Sequence, residues 1–126
     1  MPISCQIDEQ KDLLRARAAG DVTWEEVHPQ LQQLEVVLMR RAPLDVLLDL
    51  TDCTSLPDRS QLENLAADIH RLGGRTRFHR CTIVATQPAL FGMARMFEIL
   101  AEDQFAATRV FRTVAEGEAW LMQRES

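Results

Sequence analysis

The sequence predicts an α/β domain. Its sheet is mixed and mostly parallel, with about five strands, an N-terminal antiparallel hairpin and four helices, in the order β-β-α-β-α-β-α-β-α. Three observations carry this expectation. Two alternating runs open the chain, short runs of branched aliphatic residues recur later, and between those lie longer stretches with apolar residues at steps of three and four. Strands that alternate with helices imply parallel neighbours joined by crossover helices. A hairpin at the start adds one antiparallel strand to such a sheet. At 126 residues the chain fits a single domain over 1–126.

The first strand is Ile3-Ser4-Cys5-Gln6-Ile7-Asp8, where apolar and polar side chains alternate with a period of two. A polar turn over Glu9 to Asp12 leads to a second alternating run, with Leu14, Ala16 and Ala18 on one side and Arg15 and Arg17 on the other. Gly20 closes that strand. The first helix opens at Thr23 or Asp21, with Glu25 and Glu26 near its positive end, and Thr23 and Glu26 have capping-box spacing. Trp24, Val27, Leu31, Leu34 and Leu38 form its apolar stripe, Arg40 and Arg41 suit its last turn, and Pro43 ends it. Leu44 to Leu50 is the densest apolar run and reads as a strand buried on both faces. Thr51 to Ser60 reads as a loop. A second helix begins near Asp58 or Ser60, carries Leu62, Leu65, Ala66, Ile69 and Leu72, and ends at Gly73-Gly74. Arg75 to Arg80 reads as a basic turn before a strand over Cys81 to Ala85. Pro88 introduces a third helix over Ala89 to about Glu102, then a short strand over Arg109 to Arg112 and a terminal helix over Glu116 to Met122.

Composition narrows the function classes. Fourteen Lys and Arg against 19 Asp and Glu give a net charge of −5, which disfavours a nucleic-acid backbone as partner. Hydrophobic residues are 46% and charged residues 26%, the balance of an ordinary globular chain. No apolar run approaches the roughly 20 residues that span a bilayer, and the first ten residues lack the pattern of a secretory signal. A cytoplasmic location is therefore expected. Cys5, Cys53 and Cys81 are too far apart for a CxxC motif. Cys5 and Cys81 fit small buried hydrophobes, whereas Cys53 follows a strand and is expected to be more exposed. His28, His70 and His79 share no metal-ligand spacing and read as surface residues, so neither a metal nor a cofactor is expected.

Ligands in open α/β sheets gather beyond the C-terminal strand ends. That edge collects Asp49, Thr51, Asp52, Cys53, Thr54 and Ser55 from one loop and Thr86, Gln87 and Pro88 from another. Gly92, in the first turn of the third helix, would let a ligand or a second backbone approach closely. Asp49 and Asp52 are candidates for an acid/base pair, but three-residue spacing does not separate their roles, and Arg95 is a candidate to neutralise Asp49. The third helix has a broad apolar surface, because Phe91, Met96 and Ile99 add to the stripe of Leu90, Met93, Ala94, Phe97 and Leu100. Surplus apolar surface of this kind favours self-association, as a homodimer, or partner docking.

The runs LDVLLDLTDC, CTIVAT, PALFGMARMFEILAE and TRVFRTVAEGEAWL, in this order, resemble the bacterial STAS-like domains related to anti-sigma-factor antagonists. Those domains are similar in their α/β layers to CRAL-TRIO lipid-binding domains. The resemblance implies a phosphorylatable serine at the start of the helix after the central strand, within an Asp-Ser-Ser-Gly-like run. Here Asp58-Arg59-Ser60-Gln61 stands there, with Arg59 where that serine belongs and no glycine. Ser60 is the remaining candidate phosphosite, and a helix cap by Asp58 or Ser60 is the competing role. The resemblance implies a non-enzymatic regulatory or protein-interaction module without the usual phosphoserine switch. It would present the Asp52–Ser60 loop and the third helix to a protein partner. The alternative is a binder of a small amphiphilic or lipid-like ligand, held between the third helix and the sheet. An enzyme using Cys53 with Asp49 or Asp52 is the weakest of the three.

Overall fold

The structure, a computed structural model, describes residues 3–38 and 43–123. Its strands are β1 (Ile3–Asp8), β2 (Leu13–Gly20), β3 (Leu44–Cys53), β4 (Phe78–Val84) and β5 (Ala107–Phe111). Its helices are α1 (Trp24–Leu38), α2 (Arg59–Arg71), α3 (Pro88–Leu100) and α4 (Val114–Met122). The expected element order holds. Arg40 and Arg41, placed by the sequence in the last turn of α1, lie outside the described residues.

The five strands lie side by side in chain order, β1-β2-β3-β4-β5. β1 pairs antiparallel with β2, and every later pair is parallel. That order decides where the helices go. Each crossover from β2 to β5 steps to the next strand in the same direction, and right-handed connections that never reverse keep their helices on one face. Accordingly α1, α2 and α3 all cover one face of the sheet. α4 follows the last strand and packs on the opposite face, over β3, β4 and β5.

Gly117 marks that contact. A Cβ on it would lie 2.5 Å from Thr82 Cγ2 and 3.2 Å from Val84 Cγ2, so only glycine lets α4 approach the sheet this closely. Arg80 fixes the far end of the same helix. Its guanidinium donates to the carbonyls of Trp120 at 3.1 Å, Leu121 at 2.6 Å and Gln123 at 3.0 Å, at the helix C-terminus. The expectation of a basic turn through Arg80 is thereby corrected. Phe78 pairs in register with Leu44, so β4 starts at Phe78 and Arg80 belongs to the sheet.

β3 is also longer than expected. Asp52 and Cys53 pair with Ala19 and Gly20, beyond a register shift in β2, so Thr51 to Cys53 continue the strand. Pairing at the strand end buries Cys53 to 5% exposure, contrary to the exposed position expected for it. α2 ends as expected at its glycines, with φ of +117° at Gly73 and +48° at Gly74. Among the described residues no helix is long and apolar enough to cross a membrane.

Candidate functional site

Between the sheet and its three covering helices lies an apolar cavity of about 190 Å³. Strand periodicity supplies its floor: Ile3 and Cys5 from β1, Leu14, Ala16 and Ala18 from β2, Val46, Leu48 and Leu50 from β3, and Cys81 and Ile83 from β4. The apolar stripes of α1, α2 and α3 supply the roof. Val46, Leu48 and Leu50 sit on the central strand, where full burial is the rule, yet they are only half-buried. Their side chains pack against the core and also line the cavity. The expectation that this strand is buried on both faces is corrected at these three residues.

The lining carries no Asp, Glu, Lys or Arg among the described residues. Its polar side chains are already engaged. Gln30 Nε2 donates to the Ile3 carbonyl at 3.2 Å, Gln61 Oε1 accepts from the Asp58 amide at 3.1 Å, and Ser55 Oγ bonds the backbone of Val22. All three cysteines are free and line the cavity. Burial pushes the Cys81 thiol up to about 12, with a smaller push from the charge of Glu98, and burial also raises Cys5. Thiols held neutral are poor nucleophiles. Apolar cavities of comparable size stay dry and accept small apolar molecules.

The roof is pinned by one buried acid, Asp68 on α2, which is 7% exposed. Its Oδ2 accepts from Trp24 Nε1 at 3.0 Å and lies 2.9 Å from His28 Nδ1, both on α1. Arg71 approaches the other oxygen at 3.7 Å and also pairs with Glu35 of α1 at 3.1 Å. His28 is therefore a structural partner rather than a surface residue. His79 is another, half-buried with its Nδ1 3.2 Å from Asp45. Sequence reasoning passed over Asp68, although a signal was present: it stands three residues after Leu65 and four before Leu72, on the apolar face of α2.

Beyond β3 the chain runs along the cavity edge with alternating exposure. Cys53, Ser55 and Pro57 line the cavity, while Thr54, Leu56 and Asp58 are exposed. Asp58 caps α2. Its Oδ1 accepts from the Gln61 amide at 2.8 Å, and the Gln61 side chain returns to the Asp58 amide, completing a capping box. The other acids of this rim are spoken for separately. Asp49 Oδ1 accepts from the Thr51 amide at 2.9 Å and its hydroxyl at 2.7 Å, and Asp52 forms an ion pair with Arg17.

No protein-family model matches the chain, and no curated protein matches it in sequence. Solved structures do match it in shape. An uncharacterised protein of the DUF3478 family from Shewanella loihica, described as having a SpoIIAA-like fold, superposes with a TM-score of 0.64. The two are 22% identical, and the match covers 94% of this chain and 93% of that one. An anti-sigma factor antagonist from Mycobacterium paratuberculosis superposes with a TM-score of 0.61 at 16% identity, covering 96% and 95% of the two chains. The chain has a STAS-like fold. In this STAS-like domain Ser60 is the second residue of α2 and exposed, and the cap beside it belongs to Asp58.

The remaining candidates lie on α3 and do not converge with Asp49. Arg95 is exposed and pairs with Glu98 at 3.1 Å, so it does not neutralise Asp49. Phe91 is half-buried beneath the Arg112 guanidinium, 4.3 Å from the ring centre, and packs on a small cluster of Ala18, Cys53, Ala85 and Leu90. Met96 packs against the main core, leaving Ile99, at 68% exposure, as the outward residue of the broad apolar face. Gly92 is exposed, and a Cβ there would meet nothing within 4 Å, so no contact within the chain demands glycine.

Proposed function

We propose that this STAS-like domain is a non-enzymatic regulatory module that works by binding, and that its interior takes up a small apolar or amphiphilic molecule. The observation that carries this is the half-burial of Val46, Leu48 and Leu50 around an uncharged cavity of about 190 Å³. Bare apolar side chains on a central strand cost stability that an apolar occupant restores. Cys53 and Ser55 are its proposed contacts at the rim. The cavity extends under α1 and α2 as well as α3, and the proposed ligand site extends with it.

The test uses Trp24, which lines the cavity, after Trp120→Phe removes the second tryptophan from the opposite face. Titration with 1-decanol is expected to change Trp24 emission and saturate at one molecule per chain. A linear, unsaturated response would overturn the proposal.

A second reading, docking of a protein, has its own support. Leu56 is 56% exposed beside the cavity, Ile99 is exposed on α3, and one matching structure is that of an anti-sigma factor antagonist. Asp49, Asp52, Asp58, Ser60, Phe91, Gly92, Arg95 and Met96 are the proposed surroundings of that surface, and a second copy of the chain is its first proposed occupant. Light scattering is expected to give the mass of two chains, and Ile99→Asp is expected to halve it. A single-chain mass at every concentration would remove self-association.

A further inference from the structure

The segment from Cys53 to Asp58 has two sides with different company. Extended backbone turns successive side chains to opposite sides. Here Cys53, Ser55 and Pro57 form cavity wall, and Thr54, Leu56 and Asp58 meet solvent. The segment is held at two adjacent points. Ser55 Oγ accepts from the Val22 amide at 2.9 Å and donates to the Val22 carbonyl at 3.0 Å, and the Thr54 amide donates to the Gly20 carbonyl at 2.8 Å. Val22 itself lines the cavity, so the pin joins two pieces of the same wall. At its far end the segment caps α2 through Asp58 and Gln61, and Gln61 also reaches the lining.

We propose that this segment is a two-sided strap, through which an occupant of the cavity sets the position of the exposed Leu56 edge. The inference rests on the ligand-binding reading above and adds its regulation. An occupant presses on Ser55 and Pro57, and Leu56 is bonded to both. Packed interiors transmit such displacements rather than absorb them. The occupant shifts the strap by as much as its affinity differs between the two strap positions. Its class follows from the lining: an uncharged alkyl chain or ring, because no charged side chain faces it and the polar ones are already hydrogen-bonded.

The test is amide and methyl NMR on the whole chain with 1-decanol as the probe. The methyl signals of Leu48 and Leu50 are expected to shift, and the Leu56 amide is expected to follow with the same saturation curve. At saturating 1-decanol, whatever the change in affinity, the Leu56 amide shift of Ser55→Ala, taken relative to the Leu48 and Leu50 methyl shifts, is expected to fall to a small fraction of its wild-type size. Pro57→Ala provides the same comparison should Ser55→Ala fold poorly. Methyl shifts without a Leu56 response, or an undiminished Leu56 response in both variants, would overturn the strap and leave the ligand reading standing. Silence at Leu48 and Leu50 would overturn both.

Discussion

Burial decides what the individual side chains of this domain can do. Cys81 was legible as a small buried hydrophobe because it opens an apolar run, and its thiol is held neutral up to about 12. The unfolded chain releases that proton nearer the ordinary value of 9.0. Between those values the folded state holds more protons, so stability is fully present below about pH 9 and falls as pH rises toward 12. Urea melts at about pH 8 and about pH 10 are expected to show the lower midpoint at the higher pH. Thiol labelling of Cys81 is expected only on unfolding. Cys53 was misread because sequence alone did not show β3 running on to pair with Gly20. Asp68 was missed for a different reason: a lone acid on an apolar stripe has meaning only once Trp24 and His28 are known to reach it. Asp68→Ala strips the acceptor from both, and from Arg71, and is expected to cost about 3 kcal/mol in chemical denaturation.

Among the elements, the type and order of the five strands and four helices described were legible, and the larger errors fall at strand ends, although α4 also starts at Val114, two residues before the Glu116 expected. A strand ends where its neighbour stops pairing, which a one-dimensional pattern does not record. Thus Thr51 to Cys53 and Phe78 to Arg80 were read as loop and turn, although β2 and β3 pair with them. Helix starts were easier, because caps are local chemistry. Asp58→Ala is expected to cost about 1 kcal/mol, and Ser60→Ala, on an exposed residue inside the first turn, less than about 0.5 kcal/mol. Thermal melts of the two variants would distinguish them, and equal losses would reassign the cap. Gly117→Ala drives a methyl into Thr82 and Val84 and is expected to cost about 1–3 kcal/mol in the same assay.

For the molecule as a whole, the order of strands is the governing fact. Ligand sites at the C-terminal edge of an open sheet belong to topological switch points, where the order reverses. Here it does not reverse, and Asp49, Asp52 and Arg95 each take a separate partner rather than making an acid/base centre. The open apolar space lies under the helices instead. Periodicity could say which side chains point there, but not that the helices would leave them half bare. Val46→Ile adds one methylene to the cavity and is expected to stabilise the domain by about 1 kcal/mol while weakening decanol binding. A melt and a titration on the same sample test both halves.

The unbroken succession from β1 to β5 also bears on how the protein is made. Each strand after β1, once it leaves the ribosome, finds one pairing edge already synthesised and waits for nothing downstream. Nascent chains can zip the sheet from β1 outward, and α4 then covers its opposite face.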